Sequence, residues 1–438
     1  MTHATLLAQL AEHQGLDRYT EFARAYKRAA CELADLDRNE RLRREEVTER
    51  TWRRWRNGDV HNTGDTAARI LVHMFGRAIR ELLSAPAADA PAPSLIDEGE
   101  LLMTAHEASE HAGNFAGRRI ADAQLDQIQD DIVQLAGAYS RTSPLHVYTE
   151  GKRLHAASSA LLDRTAAPAQ RRDLHLATGT VCALLAQVAF DLGSRAASAE
   201  LARAARMHAE IIDHHPLLTY ADCTLALIAY WQGRPSVAVT LVERAEHFQV
   251  GGTGTIRRAS IAARAYAHTG DLAGAERALR TAGHTSRDAR DDLHDGIAGE
   301  FAFDDARRAM SAGTTLLLMG EAQRAGRASG EALESVRRLP VEQQSAKLLG
   351  EAAADQAHAR LLDGDLPGAG ASLQVVFDVP PERRVEGMVQ RLHPVRAALS
   401  GANYRAATGS RDLRDRIESF TLTNAPALFG SPGPAGMA

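Results

Sequence analysis

The fold is decided by residues 226–238, ALIAYWQGRPSVA, which place Gly233 between two alanine-rich helical segments. Small residues stand seven positions before this glycine and five and twelve positions after it, at Ala226, Ala238 and Ala245. Small side chains let two antiparallel helices approach closely and let successive pairs stack. The stretch therefore predicts a helical hairpin that stacks on others of its kind.

The same pattern occurs five times, with intervals of 40, 37, 50 and 44 residues. Its turn glycines are Gly193, Gly233, Gly270, Gly320 and Gly364. Fourteen of the fifteen flanking positions hold Ala, Ser or Gly, and the exception is Val376. Helical periodicity runs nearly throughout the chain, and no stretch alternates long enough for a strand, so we predict an all-α fold. The intervals exceed the 34 residues of a tetratricopeptide repeat (TPR), which predicts a TPR-like α-solenoid with longer loops. One such loop is predicted at 251–254, GGTG.

An Ala/Pro-rich stretch, residues 84–94, separates this repeat region from a different N-terminal segment. Its three prolines break helices, and its composition cannot bury a core. We predict a separate N-terminal domain at 1–84, a linker at 85–96 and a TPR-like helical repeat domain at 97–424. The last residues, 425–438, contain three Pro and three Gly and predict a disordered tail.

The charge is distributed unevenly along the 438 residues, which hold 51 Lys or Arg and 56 Asp or Glu, a net charge of −5. Residues 1–84 carry a net charge of +2, and residues 38–57, with eight Arg and four Glu, carry +4. A basic island on an acidic chain indicates one small element that binds a polyanion.

A short helix lies inside this island. Thr48 is placed to cap its start, and Asn57-Gly58 to end it. At 100° per residue, Trp52 and Trp55 share one side of this helix with Thr48 and Thr51. The opposite side displays three arginines and an asparagine: Arg50, Arg53, Arg54 and Asn57. Such a division is what a recognition helix needs, because its scaffold must hold one face while the other offers arginine to guanine edges and phosphates.

The predicted DNA-binding set includes residues on both sides of this helix start. Its members are Arg43, Arg44, Thr48, Glu49, Arg50, Arg53, Arg54, Arg56 and Asn57. Within the set, Arg43, Arg44 and Arg56, together with the loop 61–63, are expected to contact phosphates. The alternative is that the segment is an ordinary solvated surface helix with a tryptophan face.

Residues 47–58, VTERTWRRWRNG, followed by 68–76, ARILVHMFG, resemble the helix-turn-helix of actinobacterial Xre-type transcriptional regulators with a C-terminal TPR-like domain. The resemblance extends over most of residues 15–400. It includes the segments RRDL at 171–174, ALIAYWQGR at 226–234, GEFAF at 299–303, AGTTL at 312–316 and PPERR at 380–384. Val72 departs from the glutamate that the family prefers. The resemblance implies a transcription factor whose repeat domain binds a signal or partner and so changes DNA affinity.

The first helix of each repeat is expected to line a concave face that acts as a sensor. The candidate ligand-binding residues are Gln187, Asp191, Tyr220, Leu227, Tyr230, Trp231, Arg257, Arg264, His268 and Arg307. Aromatic rings beside arginines could hold an extended peptide, with an arginine pairing its carboxylate. The alternative is that the aromatic residues seal the core and the arginines are solvated.

Signs of catalysis or metal binding are not found in the sequence. The segment 106–111, HEASEH, has its second histidine one residue too late for a zinc-protease HExxH, and there is no P-loop and no GxSxG. The three cysteines, Cys31, Cys182 and Cys223, lie too far apart for a metal knuckle. We therefore expect no enzyme activity, cofactor or metal. No apolar run of about 18 residues is apparent, and we expect a cytoplasmic protein without a membrane partner.

The interpretation as a whole is a sequence-specific regulator that binds double-stranded operator DNA through a helix-turn-helix DNA-binding domain at 1–84. Its repeat domain would form a homodimer and sense a peptide, a small molecule or a protein. A dimer would present two recognition helices about 34–36 Å apart, one turn of DNA. The alternative function is a TPR-like protein-interaction scaffold in which the helix-turn-helix is vestigial.

Overall fold

The computed structural model describes residues 4–36, 39–60, 63–86 and 119–423, together with the isolated positions 103, 106 and 107. Within these ranges all regular structure is helical, so the all-α prediction is confirmed. The chain divides into two compact units, Met1–Gly117 and Arg118–Ala438. The expected linker at 85–96 lies outside the described residues except for its first two positions, and the expected tail at 425–438 lies wholly outside them.

The N-terminal unit is a small bundle around an aromatic core. Its described helices are α1 (Leu6–His13), α2 (Tyr19–Leu36), α3 (Glu49–Asn57), α4 (Asp65–Phe75) and α5 (Ile79–Leu82), with a 3-10 turn at Leu42–Arg44. The core residues share helical spacing on α2 and α4, where Phe22 and Tyr26 face Ile70, Leu71 and Phe75. All five are buried, and the Phe22 and Phe75 rings stack with their centres 6.2 Å apart. These contacts form the scaffold on which α3 rests.

The second unit consists of helices that pack successively along the chain. They are α6 (Asp122–Ala138), α7 (Pro144–Arg164), α8 (Pro168–Asp191), α9 (Arg195–Ile211), α10 (His215–Trp231), α11 (Pro235–Ala245), α12 (Gly252–Thr269), α13 (Leu272–His284), α14 (Asp305–Leu318), α15 (Ala322–Arg337), α16 (Ala346–Leu362), α17 (Leu366–Phe377), α18 (Glu386–Ser400) and α19 (Ser410–Leu422). From α6 to α17 each helix contacts the next, α18 contacts α19, and α8, α10, α12, α14, α16 and α18 also contact one another in sequence. The unit is therefore solenoid-like, with these six helices as its inner layer.

The five predicted turn glycines join five helical hairpins. Gly193, Gly233, Gly270, Gly320 and Gly364 have φ angles of 82°, 71°, 78°, 79° and 86°. This left-handed conformation is accessible to glycine without the steric cost of a Cβ atom. The fourteen small residues and Val376 that flank these turns are all buried. The repeat prediction is therefore confirmed at the turns and at the contacts between the two helices of each hairpin.

The inner layer closes on itself. The last inner helix, α18, contacts the first, α8, and Arg195 at the start of α9 forms an ion pair of 3.2 Å with Glu386. Lys347 at the start of α16 reaches across to Asp191 at the end of α8, with 2.7 Å between Nζ and a carboxylate oxygen. The six inner helices thus surround a common centre instead of forming an open groove.

The longest interval between turn glycines, from Gly270 to Gly320, accommodates a segment that folds inward. A π-helical turn at Asp292–Ile297 precedes Gly299, whose φ is 59° and whose added Cβ would lie 2.4 Å from the Ala136 carbonyl. Only a residue without a side chain fits this approach. The segment then carries residues 300–303 to the centre of the ring of helices.

The predicted turn at 251–254 is wrong, because these residues begin α12. Gly251 is its N-cap, and the amide of Gly252 donates to the carbonyl of Ala289 at 2.7 Å. A Cβ on Gly252 would lie 1.9 Å from the carbonyl oxygen of Ser286. The glycines therefore allow the inserted segment to cross the helix start.

Helix α8 also corrects an expectation about apolar runs. Its length and a mean hydropathy of 1.3 would allow it to cross a membrane, although no such run was expected. However, 89% of the apolar window is buried inside the protein. A helix that is apolar on all sides is typical of a core element as well, and here α8 packs against α7, α9 and α10.

Candidate functional site

The predicted recognition helix is present as α3, with the expected ends. The hydroxyl of Thr48 accepts from the amide of Thr51 at 3.3 Å and caps the first turn. Gly58 ends the helix with φ of 75°. The buried Thr5 hydroxyl donates to the carbonyls of Trp55 and Arg56 at 3.2 and 3.1 Å, which ties the last turn of α3 to α1. The helix is therefore held at both ends.

The two indoles anchor the inner face of α3. Trp52 and Trp55 are 7% and 3% exposed. Trp52 packs between Tyr19 and Phe22, with ring centres 5.8 and 6.2 Å away, and Trp55 lies 6.1 Å from Tyr26. Aromatic contacts of this kind add to the free energy of burial. They connect α3 rigidly to α2.

The outer face of α3 presents arginine to solvent. Arg50, Arg53, Arg54 and Asn57 are all exposed. Arg53 forms an ion pair with Glu49 one turn earlier, and both side chains are at least half exposed. Surface pairs of this type contribute at most about 1 kcal/mol, so Arg53 can exchange Glu49 for another anion. Within the described ranges, Arg50 and Arg54 have no ion-pair partner.

The residues expected to contact phosphates differ in their freedom. Arg44 is exposed and unpaired within the described part of the chain, whereas Arg43 binds Asp35 and Glu40. Arg56 donates to the carbonyl of Asp17 at 2.7 Å, and its guanidinium carbon lies 4.9 Å from the centre of the Trp52 ring. Arg56 is thus engaged with its own domain.

The predicted burial of two threonines needs correction, and most of the predicted phosphate-binding loop lies outside the described residues. Thr48 is exposed and Thr51 only half-buried, although both were placed on the buried side. Thr48 is exposed because it precedes the helix as its cap, where the wheel no longer applies. In the predicted phosphate-binding loop, Thr63 is described and half-buried, whereas positions 61 and 62 lie outside the described residues.

A cavity lies at the centre of the second unit. The volume that the centre of a water-sized sphere can occupy in this cavity is about 110 Å³. On the same measure, one water molecule needs about 10–15 Å³. The six inner helices and the inserted segment all contribute side chains to its wall. Seven of the ten predicted ligand-binding residues line it: Gln187, Asp191, Leu227, Trp231, Arg257, Arg264 and Arg307.

The other three predicted residues pack behind this wall. Tyr220 is 1% exposed and lies beneath Arg257, with the guanidinium carbon 3.8 Å from its ring centre. Burial raises the pKa of Tyr220 to about 12, although Arg257 opposes the shift. Tyr230 accepts a hydrogen bond of 3.0 Å from Arg264, and His268 stacks on Tyr230 at 4.7 Å. These residues position the lining arginines but do not face the cavity.

Each carboxylate in the cavity wall has a cationic partner. Lys347 donates to both oxygens of Asp191, which also accepts from the hydroxyl of Tyr139 at 2.7 Å. Burial would lower the pKa of Lys347, but Asp191 and Glu300 outweigh burial and raise the pKa above its usual range. Glu300 pairs with Arg307 at 3.0 Å.

The third carboxylate belongs to a network centred on Arg391. This arginine contacts Glu351 at 3.5 Å and Asp355, which lies behind the wall, at 3.2 Å. All three side chains are at least 93% buried. The pKa of Arg391 is raised because the two carboxylates outweigh the effect of burial. The negative charge of the wall is thereby neutralised internally.

Two lining guanidinium groups lack a carboxylate. Arg257 is 6% exposed and has no ion-pair partner in the described residues, and its Nη1 atom has no hydrogen-bond partner there. Arg264 is also 6% exposed, and its donors bind, among the described residues, only neutral hydroxyls, those of Tyr230 and Ser311. Both project from α12 seven residues apart, which is about 10.5 Å along a helix.

Sequence reasoning did not identify Lys347, Glu300, Glu351 or Arg391 as lining residues. Lys347 meets Asp191 across 156 positions of the chain, and helical periodicity carries no information about such a contact. Two signals were available. Lys347 is one of three lysines in the sequence, and Glu300 lies in the GEFAF segment at 299–303.

Among the described residues, no group of three or more His, Cys, Asp or Glu side chains is arranged to hold a metal ion. Most of the near-motif at 106–111 lies outside those residues. Burial raises the pKa of the Cys182 and Cys223 thiols to about 11, so both are protonated at neutral pH. The chain matches no protein-family model and no curated protein.

Proposed function

We propose that the protein is a sequence-specific DNA-binding transcriptional regulator of the Xre type. The observation that carries the proposal is the division of α3, whose buried indoles leave Arg50, Arg53, Arg54 and Asn57 exposed. A helix fixed from behind loses little conformational freedom on docking, so its arginines can read base edges in a major groove.

The arginines of this region would have different roles. Arg50, Arg53 and Arg54 would contact bases or the adjacent phosphates, with Glu49 accepting from a cytosine amine when it releases Arg53. Arg44 would bind phosphate directly. Arg43 would first have to release Asp35 and Glu40, and Arg56 would position α3 through its contacts with Trp52 and the Asp17 carbonyl.

The repeat unit would supply dimerisation and regulation. A homodimer would place two copies of α3 about 34–36 Å apart on two half-sites. The central cavity would hold the effector, because all six inner helices and the inserted segment contribute to its wall, so that a bound ligand would contact every hairpin of the repeat pattern. Sedimentation of the full chain would give its oligomeric state.

The proposal is tested by selecting preferred sites from random duplex DNA with the full-length protein. Binding to the selected site is then measured by fluorescence anisotropy at two salt concentrations. We expect Arg54→Ala to weaken binding by about 1–3 kcal/mol. Arg28→Ala is the matched control, because Arg28 is an exposed arginine of the same unit that lies on α2.

The possible results separate the two functional classes. Loss of affinity in Arg50→Ala and Arg54→Ala, with Arg28→Ala unchanged, supports the regulator. Failure of the selection to enrich any site would overturn it, as would equal binding by all three variants. A protein-interaction scaffold would give that negative result.

A further inference from the structure

We propose that the central cavity of the repeat unit binds a small organic acid, whose acidic group pairs with Arg257 and whose apolar part lies against the neighbouring side chains. Arg257 is 94% buried, lines the cavity and has no carboxylate partner in the described residues. An unpaired buried charge is costly unless a partner compensates it. A ligand anion would provide that partner.

The geometry around Arg257 leaves donors of its guanidinium without an acceptor among the described residues. The Tyr220 ring covers one face of the guanidinium at 3.8 Å, and Nη1 has no acceptor among the described residues. A guanidinium presents parallel N–H groups in its plane, which match the two oxygens of a carboxylate or a phosphate. The stacking on Tyr220 therefore holds the group in position without using its donors.

The charges of the wall favour an anion. Five cations face three carboxylates: Arg257, Arg264, Arg307, Lys347 and Arg391 against Asp191, Glu300 and Glu351. A fourth carboxylate, Asp355, contacts Arg391 from behind the wall. Even when Asp355 is counted, the cations outnumber the carboxylates. Since every lining carboxylate has an ion-pair partner, the excess resides at Arg257 and Arg264.

The apolar part of the wall begins next to Arg257 on the same helix. Ile261 lies one turn further along α12 and is 2% exposed. Leu227, Phe303 and Met310 face the same space from α10, the inserted segment and α14. A compact ligand with an acidic head and an apolar body would satisfy both parts, whereas the cavity, with about 110 Å³, is small for an extended peptide.

As an effector site the cavity rests on the proposed regulatory function, but as a binding site it does not. The test therefore measures ligand binding on the full chain without DNA. If DNA binding fails but ligand binding succeeds, the regulatory function alone is rejected. If ligand binding fails but DNA binding succeeds, only this inference is rejected.

The experiment titrates straight-chain monocarboxylates of two to eight carbons by calorimetry at constant ionic strength. The matched neutral amides test the need for charge, and inorganic phosphate tests an anion without an apolar body. We expect saturable binding of the acids that strengthens with chain length, and no binding of the amides. Saturable binding of phosphate without the carboxylates would identify a phosphoryl-bearing ligand at the same site.

Variants assign the site to Arg257. We expect Arg257→Met to weaken binding roughly 10- to 100-fold, the value of a hydrogen-bonded ion pair, and Arg257→Lys to retain part of it. Arg258→Met is the control, because Arg258 is adjacent on α12 but does not line the cavity. Thermal unfolding verifies that each variant is folded. The inference is overturned if neither carboxylates nor phosphate bind saturably, if the amides bind as well as the acids, or if Arg257→Met binds like the original protein.

Discussion

The two units of this protein use arginine in opposite ways. In the N-terminal unit, α3 buries its indoles and exposes Arg50, Arg53 and Arg54. In the repeat unit, α12 buries Arg257 and Arg264 to 94% and directs them into a cavity. An exposed guanidinium keeps its hydration until a partner arrives, whereas a buried one has lost its hydration on folding. The first arrangement suits a partner outside the molecule, and the second suits one that enters it.

The cost of burial is compensated in only part of the repeat unit. Arg391 has two carboxylate partners within 3.5 Å, while Arg257 has an aromatic ring and no carboxylate in the described residues. Two arginines with the same exposure of 6% thus differ in electrostatic balance. The difference indicates which of them supports the fold and which is available for a ligand.

The largest effect on stability is expected for the buried indole of Trp55, which anchors α3. Trp55→Ala should lower the free energy of unfolding of the N-terminal unit by about 3–5 kcal/mol, because a buried ring that contacts Tyr26 is replaced by a cavity. Hydrogen exchange of residues 49–57 in the full-length protein measures the change. Arg54→Ala is the control and should alter stability by no more than about 0.5 kcal/mol. Equal exchange in Trp55→Ala and the original protein would show that the indole does not hold α3.

A somewhat smaller effect is expected for the paired buried arginine. Arg391→Met should lower the stability of the repeat unit by about 3 kcal/mol, since Glu351 and Asp355 would lose their partner. Burial raises the pKa of Asp355, so uptake of a proton would relieve part of the cost. Denaturant unfolding of the full-length protein measures the loss, and hydrogen exchange of residues 346–400 locates it.

The unpaired arginine provides the contrast in that experiment. Without a ligand, Arg257→Met should leave the stability unchanged or increase it, because it removes a buried charge that has no carboxylate partner in the described residues. If both variants lose stability equally, the distinction between the two arginines is wrong.

The smallest effect concerns pH and should be confined to the repeat unit. Nδ1 atoms of His175 and His208 lie 3.0 Å apart, and burial, aided by His175, lowers the pKa of His208 to about 4. Unfolded histidine titrates near about 6.5, so the unfolded state binds more protons between these values. The stability that depends on neutral His208 should be fully present above about pH 6.5 and should be lost as the pH falls towards 4.

A conservative variant isolates this contribution from the carboxylates that titrate over the same range. His208→Gln should reduce the drop in unfolding temperature between pH 7 and pH 5, while His247→Gln, an exposed control on the same unit, should not. Parallel curves for the original protein and His208→Gln would exclude the histidine pair as the cause.

Local features of the sequence were sufficient for much of this structure. The five turn glycines have positive φ, and their flanking small residues are buried, because both properties depend on neighbours within one hairpin. The caps and the buried face of α3 follow from residues within two helical turns. The helical wheel placed Thr48 on the buried side, but the residue is exposed because it precedes the helix as its cap.

Features that depend on distant contacts were not predictable in this way. Seven of the ten predicted ligand residues do line one cavity, because they occupy similar positions on the inner faces of the inner helices. The partner of Asp191, Lys347, comes from a helix that meets α8 only when the ring closes, and the pair of Glu351 and Arg391 joins α16 to α18. The glycines at 251–254 resembled a turn, but their role is to let residues 286–289 pass within van der Waals distance.

The closure of the inner layer by α18 on α8 has a consequence for how such a chain can change. An open solenoid gains or loses a repeat with little effect on distant repeats, since each contacts only its neighbours. Here an added or deleted hairpin would separate Arg195 from Glu386 and Lys347 from Asp191. The number of hairpins is therefore set by the circumference, and variation in length is confined to the connections between them.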